Sequence, residues 1–129
     1  MLSRILVVDD HEDSLNVFSR VLTKAGYDVF LAQNGSEALK SVLQYRPHLI
    51  ILDLQIPEIS GLEVCRTIKE NPFSQVIPVL IITAGSDSRL REEIQKAGAD
   101  ELLMKPIDPF RLLSIVNNYL SQSQSSIAS

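Results

Sequence analysis

The chain is poor in cysteine: Cys65 is the only one in 129 residues, so no internal disulfide can form. It falls on the apolar face of a helical segment, where an inert buried thiol is the simpler reading. Positive charge is also short. Twelve Lys and Arg against sixteen Asp and Glu leave a formal charge of -4, which argues against non-specific binding to nucleic acid, because that depends on clustered cations neutralising phosphates. No apolar run is long enough to span a bilayer, so no membrane insertion is expected. The Met1 end has neither the basic patch nor the apolar stretch and cleavage site of a secretory signal, and the expected location is cytoplasmic. No internal repeat is visible. What remains is ordinary for a globular domain: 45% hydrophobic and 22% charged residues, in a length able to bury about two-thirds of its unfolded surface.

Apolar, β-branched runs at Ile5–Val8, Val29–Ala32, Leu49–Leu52, Val79–Ile82 and Leu102–Met104 alternate with longer segments of helical period. That alternation predicts a parallel sheet flanked by helices, an α/β fold of five strands and five helices. The runs at Ile5, Leu49 and Val79 have no polar alternation, so both their faces are expected to be covered. Helical stripes are read at Leu15, Phe18, Leu22 and Ala25, stopped by Gly26, and at Leu39, Val42 and Leu43, opened by Ser36–Glu37 with Pro47 beyond. Ser60 and Glu63 form a capping-box pattern before Leu62, Val64, Cys65 and Ile68, with Asn71–Pro72 at the far end. The fourth helix, Ser88–Ala97, is the least apolar, and Gly98 ends it. Asp108 and Pro109 open the last, whose inward residues are expected to be Phe110, Leu113, Val116 and Leu120. The domain is thus placed at residues 1–120, and the tail SQSQSSIAS, residues 121–129, reads as a disordered end or the start of a linker.

Asp9, Asp10, Asp53, Thr83 and Lys105 each stand at or just past the C-terminal end of a strand run. Right-handed crossovers put those ends on one edge of a parallel sheet, where open α/β sheets bind their ligands. Carboxylates crowded there repel by about 4 kcal/mol per close pair at an effective dielectric near 20, so they call for a divalent cation or a proton. All-oxygen ligation suits Mg²⁺, which often bridges a carboxylate to a phosphoryl group. Lys105 adds a point charge, Thr83 a hydroxyl donor and Ala84 a backbone amide, the set that stabilises a transferring phosphoryl group. One carboxylate then has to be the nucleophile, and Asp53, alone at the tip of the central run, is the choice, with Asp9 and Asp10 holding metal. Taken singly, Asp10 reads equally as a helix cap, Thr83 as a strand-end hydroxyl and Lys105 as a solvated charge. Their conjunction at four strand ends carries the argument.

These segments, ILVVDD at Ile5–Asp10, LIILDLQIPEISGLE at Leu49–Glu63, VLIITA at Val79–Ala84 and LLMKP at Leu102–Pro106, resemble the response-regulator receiver domains of two-component signalling, and the match runs from Arg4 to Leu120. The resemblance implies a flavodoxin-like, doubly wound sheet of order 2-1-3-4-5, an arrangement for which a chemotaxis member of the family is a standard example. It implies Asp53 as phosphoacceptor, Asp9 and Asp10 as metal-side acids, the backbone carbonyl of Gln55 as a further Mg²⁺ contact, Lys105 as the phosphoryl's cation and Thr83 as the switch hydroxyl. It implies a cis bond before Pro106, and a loop after the acceptor shaped by Pro57 and Gly61. By the same resemblance a histidine kinase or histidine phosphotransfer protein donates the phosphoryl group. Self-dephosphorylation resets the protein, and the face of the fourth helix, fifth strand and fifth helix controls a protein target that the sequence does not name.

The chain also departs from the family. Leu102 stands where many receivers carry an aromatic on the fifth strand, so a rotating ring cannot relay movement of Thr83, and Gln55 and Gly85 occupy positions that tune acyl-phosphate lifetime. Ile56 and Ile59 replace frequent methionines at similar volume. His11 is read as a solvated side chain rather than a metal ligand, since Mg²⁺ prefers oxygen, and His48 as structural. Arg89, Arg91 and Lys96, interleaved with Glu92 and Glu93, read as a solvated face.

Three other functions compete. A haloacid-dehalogenase-like phosphatase or phosphotransferase on small substrates calls for a second Asp where Gln55 stands. A flavodoxin-like cofactor carrier calls for a hydroxyl- and glycine-rich phosphate loop where Asp9–Asp10 stand. A degenerate receiver used only for docking does not need its acids, Thr83 and Lys105 intact. Whether the chain acts alone or as the N-terminal part of something longer is left open by the sequence.

Overall fold

The computed structural model describes residues 2–85 and 88–128, with side chains through 121. Strands and helices alternate as β1 (Arg4–Val8), α1 (Glu12–Lys24), β2 (Asp28–Ala32), α2 (Gly35–Tyr45), β3 (Leu49–Asp53), α3 (Gly61–Glu70), β4 (Val79–Thr83), α4 (Ser88–Lys96), β5 (Glu101–Met104) and α5 (Pro109–Ala128). All strand pairs are parallel and the order is β2-β1-β3-β4-β5, so the crossover direction reverses between β1 and β3. Each strand lies within one residue of its apolar run, because runs of three or four apolar residues are too short for helices.

Side-chain alternation divides the core in two. Leu6, Val8, Ile50, Leu52, Val79 and Ile81 point to one face and pack with Ala38, Val42, Val64, Cys65, Ile68 and Ile94 of α2, α3 and α4. Ile5, Val7, Leu49, Ile51, Leu80 and Ile82 point to the other and pack with Leu15, Phe18, Leu22, Leu112, Val116 and Leu120 of α1 and α5. The outer strands β2 and β5, at the edges of the sheet, are only partly buried. Among the described residues no helix is long and apolar enough to cross a membrane.

Several helix faces differ from their sequence reading by one or two positions. On α5 the buried residue near the start is Leu112, while Phe110 is 70% exposed: the core stripe is Leu112, Val116 and Leu120 at four-residue spacing, which rotates Phe110 out. On α2 Ala38 and Val42 face inward and Leu43 is exposed, and Ala25 is exposed because α1 has ended before it. Helix α2 opens at Gly35 rather than Ser36. Asn34 accepts from the Glu37 amide at 2.8 Å, and the Glu37 carboxylate accepts from the Gln33 amide at 2.7 Å, a reciprocal cap centred two residues before the serine. The backbone of α5 continues through the residues read as a tail, to Ala128; SQSQSSIA contains no glycine or proline to stop it.

Candidate functional site

The sheet register brings the acids together. Val8 pairs with Leu52, so Asp9 and Asp53 leave neighbouring strands side by side, and Asp53 itself pairs with Ile82, one residue short of Thr83. The ladder continues past the strand ends: the Asp9 amide donates to Ala32 O at 3.1 Å, Leu54 to Ile82 O at 3.1 Å and Lys105 to Thr83 O at 2.9 Å. Three strand tips then end in one local motif, a side-chain oxygen accepting from the amide two residues on. Asp9 Oδ1 accepts from His11 at 2.9 Å, Asp53 Oδ1 from Gln55 at 3.0 Å and Thr83 Oγ1 from Gly85 at 3.1 Å. Each turn fixes its side chain at the rim before any ligand arrives.

Asp9, Asp53 and Thr83 are buried, and Asp10 is about one-third exposed. Lys105 reaches in from β5, its Nζ 2.7 Å from Asp53 Oδ2 and 3.5 Å from Asp9 Oδ2. Burial, strengthened by the Asp9 charge, pushes the Asp53 carboxyl above its ordinary pKa, against the hydrogen bonds from Lys105 and the Gln55 amide. Burial alone would depress the Lys105 ammonium, but its bond to Asp53 and the charges of Asp53 and Asp9 outweigh that and raise it. The Lys105–Pro106 peptide bond is cis, in agreement with the resemblance.

Carboxylate oxygens of Asp9, Asp10 and Asp53 and a ring nitrogen of His11 all lie within 4.8 Å of one another. Three carboxylates against one ammonium leave an excess of two negative charges, that of one divalent cation, and the oxygens are hard donors of the kind Mg²⁺ takes. The residues present therefore fit the ion. His11 is 68% exposed, as the solvated reading expected, yet its Nδ1 stands 3.1 Å from Asp9 Oδ1 and 3.0 Å from Asp10 Oδ1. Sequence reasoning did not place it against both acids, because one imidazole after an acidic pair has no spacing pattern to betray it.

The loop after Asp53 is held by close backbone approach. A Cβ on Gly61 would lie 2.6 Å from Asp53 O and 2.7 Å from Leu54 Cα, and one on Gly35 would lie 2.6 Å from Ile59 Cβ. Gly61 was legible as a loop-shaping residue, whereas the tight contact at Gly35 was not. Ser36 Oγ donates to Glu58 Oε2 at 2.6 Å across the same contact.

His48 and Cys65 are away from the site. His48 Nδ1 accepts from the Arg4 amide at 2.8 Å, and burial and the Arg4 charge lower its pKa. Burial pushes the Cys65 thiol up to about 11.

The family model described as the response regulator receiver domain matches residues 5–117. The polar-differentiation response regulator DivK of Brucella anthropi is 32% identical over 123 residues, covering 95% of this chain and all of that protein. Among solved structures, the signal receiver domain of a signal transduction histidine kinase from Syntrophus aciditrophicus is 34% identical with a TM-score of 0.86, covering 93% and 91% of the two chains. The BeF3-activated receiver domain of DrrB, from Thermotoga maritima, is 32% identical with a TM-score of 0.84, covering 94% and 99%.

Proposed function

The chain belongs to the response regulator receiver domain family, and from that premise we propose that it accepts a phosphoryl group from a histidine kinase or phosphotransfer protein onto Asp53. The observation that carries this reading is the buried Asp53 carboxylate held 2.7 Å from Lys105 inside a rim of acids. A carboxylate oxygen of Asp53 attacks phosphorus, a P–O bond forms as the P–N bond to the donor histidine breaks, and the electron pair leaves on the imidazole. Asp9, Asp10, Asp53 and the Gln55 carbonyl are the residues that would hold Mg²⁺, which when bound neutralises the acids and the phosphoryl oxygens. Lys105 exchanges its bond to Asp53 for one to a phosphoryl oxygen, and Thr83 and the Ala84 amide supply donors from β4.

Partner access is supported by a cavity of about 550 Å³ beside Lys105, lined by Val17 and Phe18 of α1 and by Pro106, Ile107 and Pro109. Val17 is 47% exposed there, which suits the apolar face of a partner helix. The added charge of about -1.5 to -2 draws Thr83 toward Asp53 and biases the α4-β5-α5 face, altering its affinity for a protein target. The protein is in this reading a regulator whose only chemistry is on itself, acting in the cytoplasm through proteins and without direct contact to nucleic acid.

Incubation with Mg²⁺ and acetyl phosphate, followed by intact-mass measurement, tests the assignment. One labile phosphoryl adduct is expected on the wild type and none on Asp53→Asn. An adduct that persists on Asp53→Asn overturns the assignment, and steady turnover of assorted phosphate esters points instead to a small-substrate enzyme.

A further inference from the structure

Building on the cation site proposed above, we propose that His11 is a further metal ligand, and that the site of this chain prefers a borderline transition dication, Mn²⁺ or Zn²⁺, to Mg²⁺. His11 occupies the N-cap of α1, where a side chain ordinarily accepts from a helix amide, yet it makes no side-chain cap bond. Its ring turns away from the helix and toward the acids instead. Nδ1 is then almost equidistant from two carboxylate oxygens, 3.1 Å from Asp9 and 3.0 Å from Asp10.

Nδ1 is hydrogen-bonded to Asp9 Oδ1, and since a carboxylate only accepts, Nδ1 carries the proton of that bond. A cation that takes the place of this proton sits among the same three atoms. Two donors at about 2.1 Å from a common ion and at right angles stand about 3.0 Å apart, which is the spacing found. The remaining acid, Asp53, is within 4.8 Å of the others.

A nitrogen among the oxygens changes selectivity. Imidazole binds borderline ions far better than Mg²⁺, which keeps water in preference. His11 approaches from solvent while Lys105 approaches from β5, so the imidazole ligates without displacing the ammonium. With Nδ1 on the metal, the proton sits on Nε2, and a ring 68% exposed leaves that group free to reach water.

The test is titration of the wild-type chain, His11→Ala and His11→Asn with Mg²⁺, Mn²⁺ and Zn²⁺ by calorimetry, with electron spin echo modulation of the Mn²⁺-loaded proteins. The wild type is expected to show ¹⁴N coupling at bound Mn²⁺, and both variants to lose it. The variants should bind Mn²⁺ and Zn²⁺ about tenfold or more weakly while Mg²⁺ affinity changes less than about twofold. Absence of ¹⁴N coupling in the wild type, or equal losses for all three ions, overturns the role of His11 and leaves the carboxylate site standing. If the wild type binds none of the three ions, both this role and the cation site fail.

Discussion

At Asp53 burial works against ionisation of the carboxyl. Its carboxyl pKa is raised in the folded state, mainly by burial, so the folded protein binds that proton more tightly than the unfolded chain does. The sign follows from linkage. The contribution is most favourable below the ordinary carboxylate pKa, near 4, and falls as pH rises from there through the raised folded value, so at neutral pH the charge is a cost. Asp53→Asn should therefore stabilise the cation-free protein by about 0.5–2 kcal/mol at pH 7, read as a higher urea midpoint in chelator, with the gain shrinking toward pH 3. Lys105 has the same sign in a higher window: its raised pKa gives stability that is present below about 10.5 and is lost as pH rises through the folded value. Gly61 makes a steric counterpart. An Ala there meets backbone atoms at 2.6 and 2.7 Å, so the tip of β3 must shift, costing about 1–3 kcal/mol and reducing phosphoryl uptake at Asp53. Gly85→Ala meets only ordinary contacts at 3.7 and 3.9 Å and should change the urea midpoint by no more than about 0.5 kcal/mol. Equal losses at the two glycines would refute the close-approach account.

Helix ends decide how these residues are presented. Asp108 Oδ1 accepts from the Phe110 amide at 2.8 Å and Ser60 Oγ from Glu63 at 3.3 Å, and both caps were legible because the polar residue directly precedes an apolar period. Replacing Asp108 with Ala should cost about 1 kcal/mol by thermal or urea unfolding, since the first turn of α5 loses its partner. The cap at Asn34 was missed in favour of Ser36, because both residues are good caps and the bonds of Glu37 to Asn34 and Gln33 select the earlier start. Inner faces were legible along the length of a stripe, as at Val116 and Leu120, and less so near helix ends, where Leu112 and not Phe110, two residues and about 200° away, faces the core. Strands had no such ambiguity, since β1, β3 and β4 bury both faces. On β5, Leu102 is partly buried against the α2–α3–α4 side, and no ring is available there to follow Thr83.

The whole molecule explains why five residues scattered from Asp9 to Lys105 were legible as one site while their neighbour was not. A parallel sheet puts all its C-terminal strand ends on one edge, so residue type at strand ends is sufficient to predict convergence, and the observed 2.7 Å and 3.5 Å contacts of Lys105 follow. His11 belongs to the helix start, where its orientation depends on a turn that no periodicity records. The two aliphatic cores on either side of the sheet are extensive enough to support an edge that carries an uncompensated charge of two acids. That division of labour makes global stability a readout of the site. A dication that binds the folded chain alone adds RT ln(1 + [L]/Kd), about 2.7 kcal/mol at a hundred times Kd, and a domain of this length should melt several degrees higher for each kcal/mol. Melting curves in increasing Mg²⁺, against sodium chloride of matched ionic strength, should climb with the logarithm of concentration for the wild type and stay flat for Asp9→Asn. A wild type that melts at one temperature throughout would mean that the acids on this edge do not gather a cation, whatever their distances.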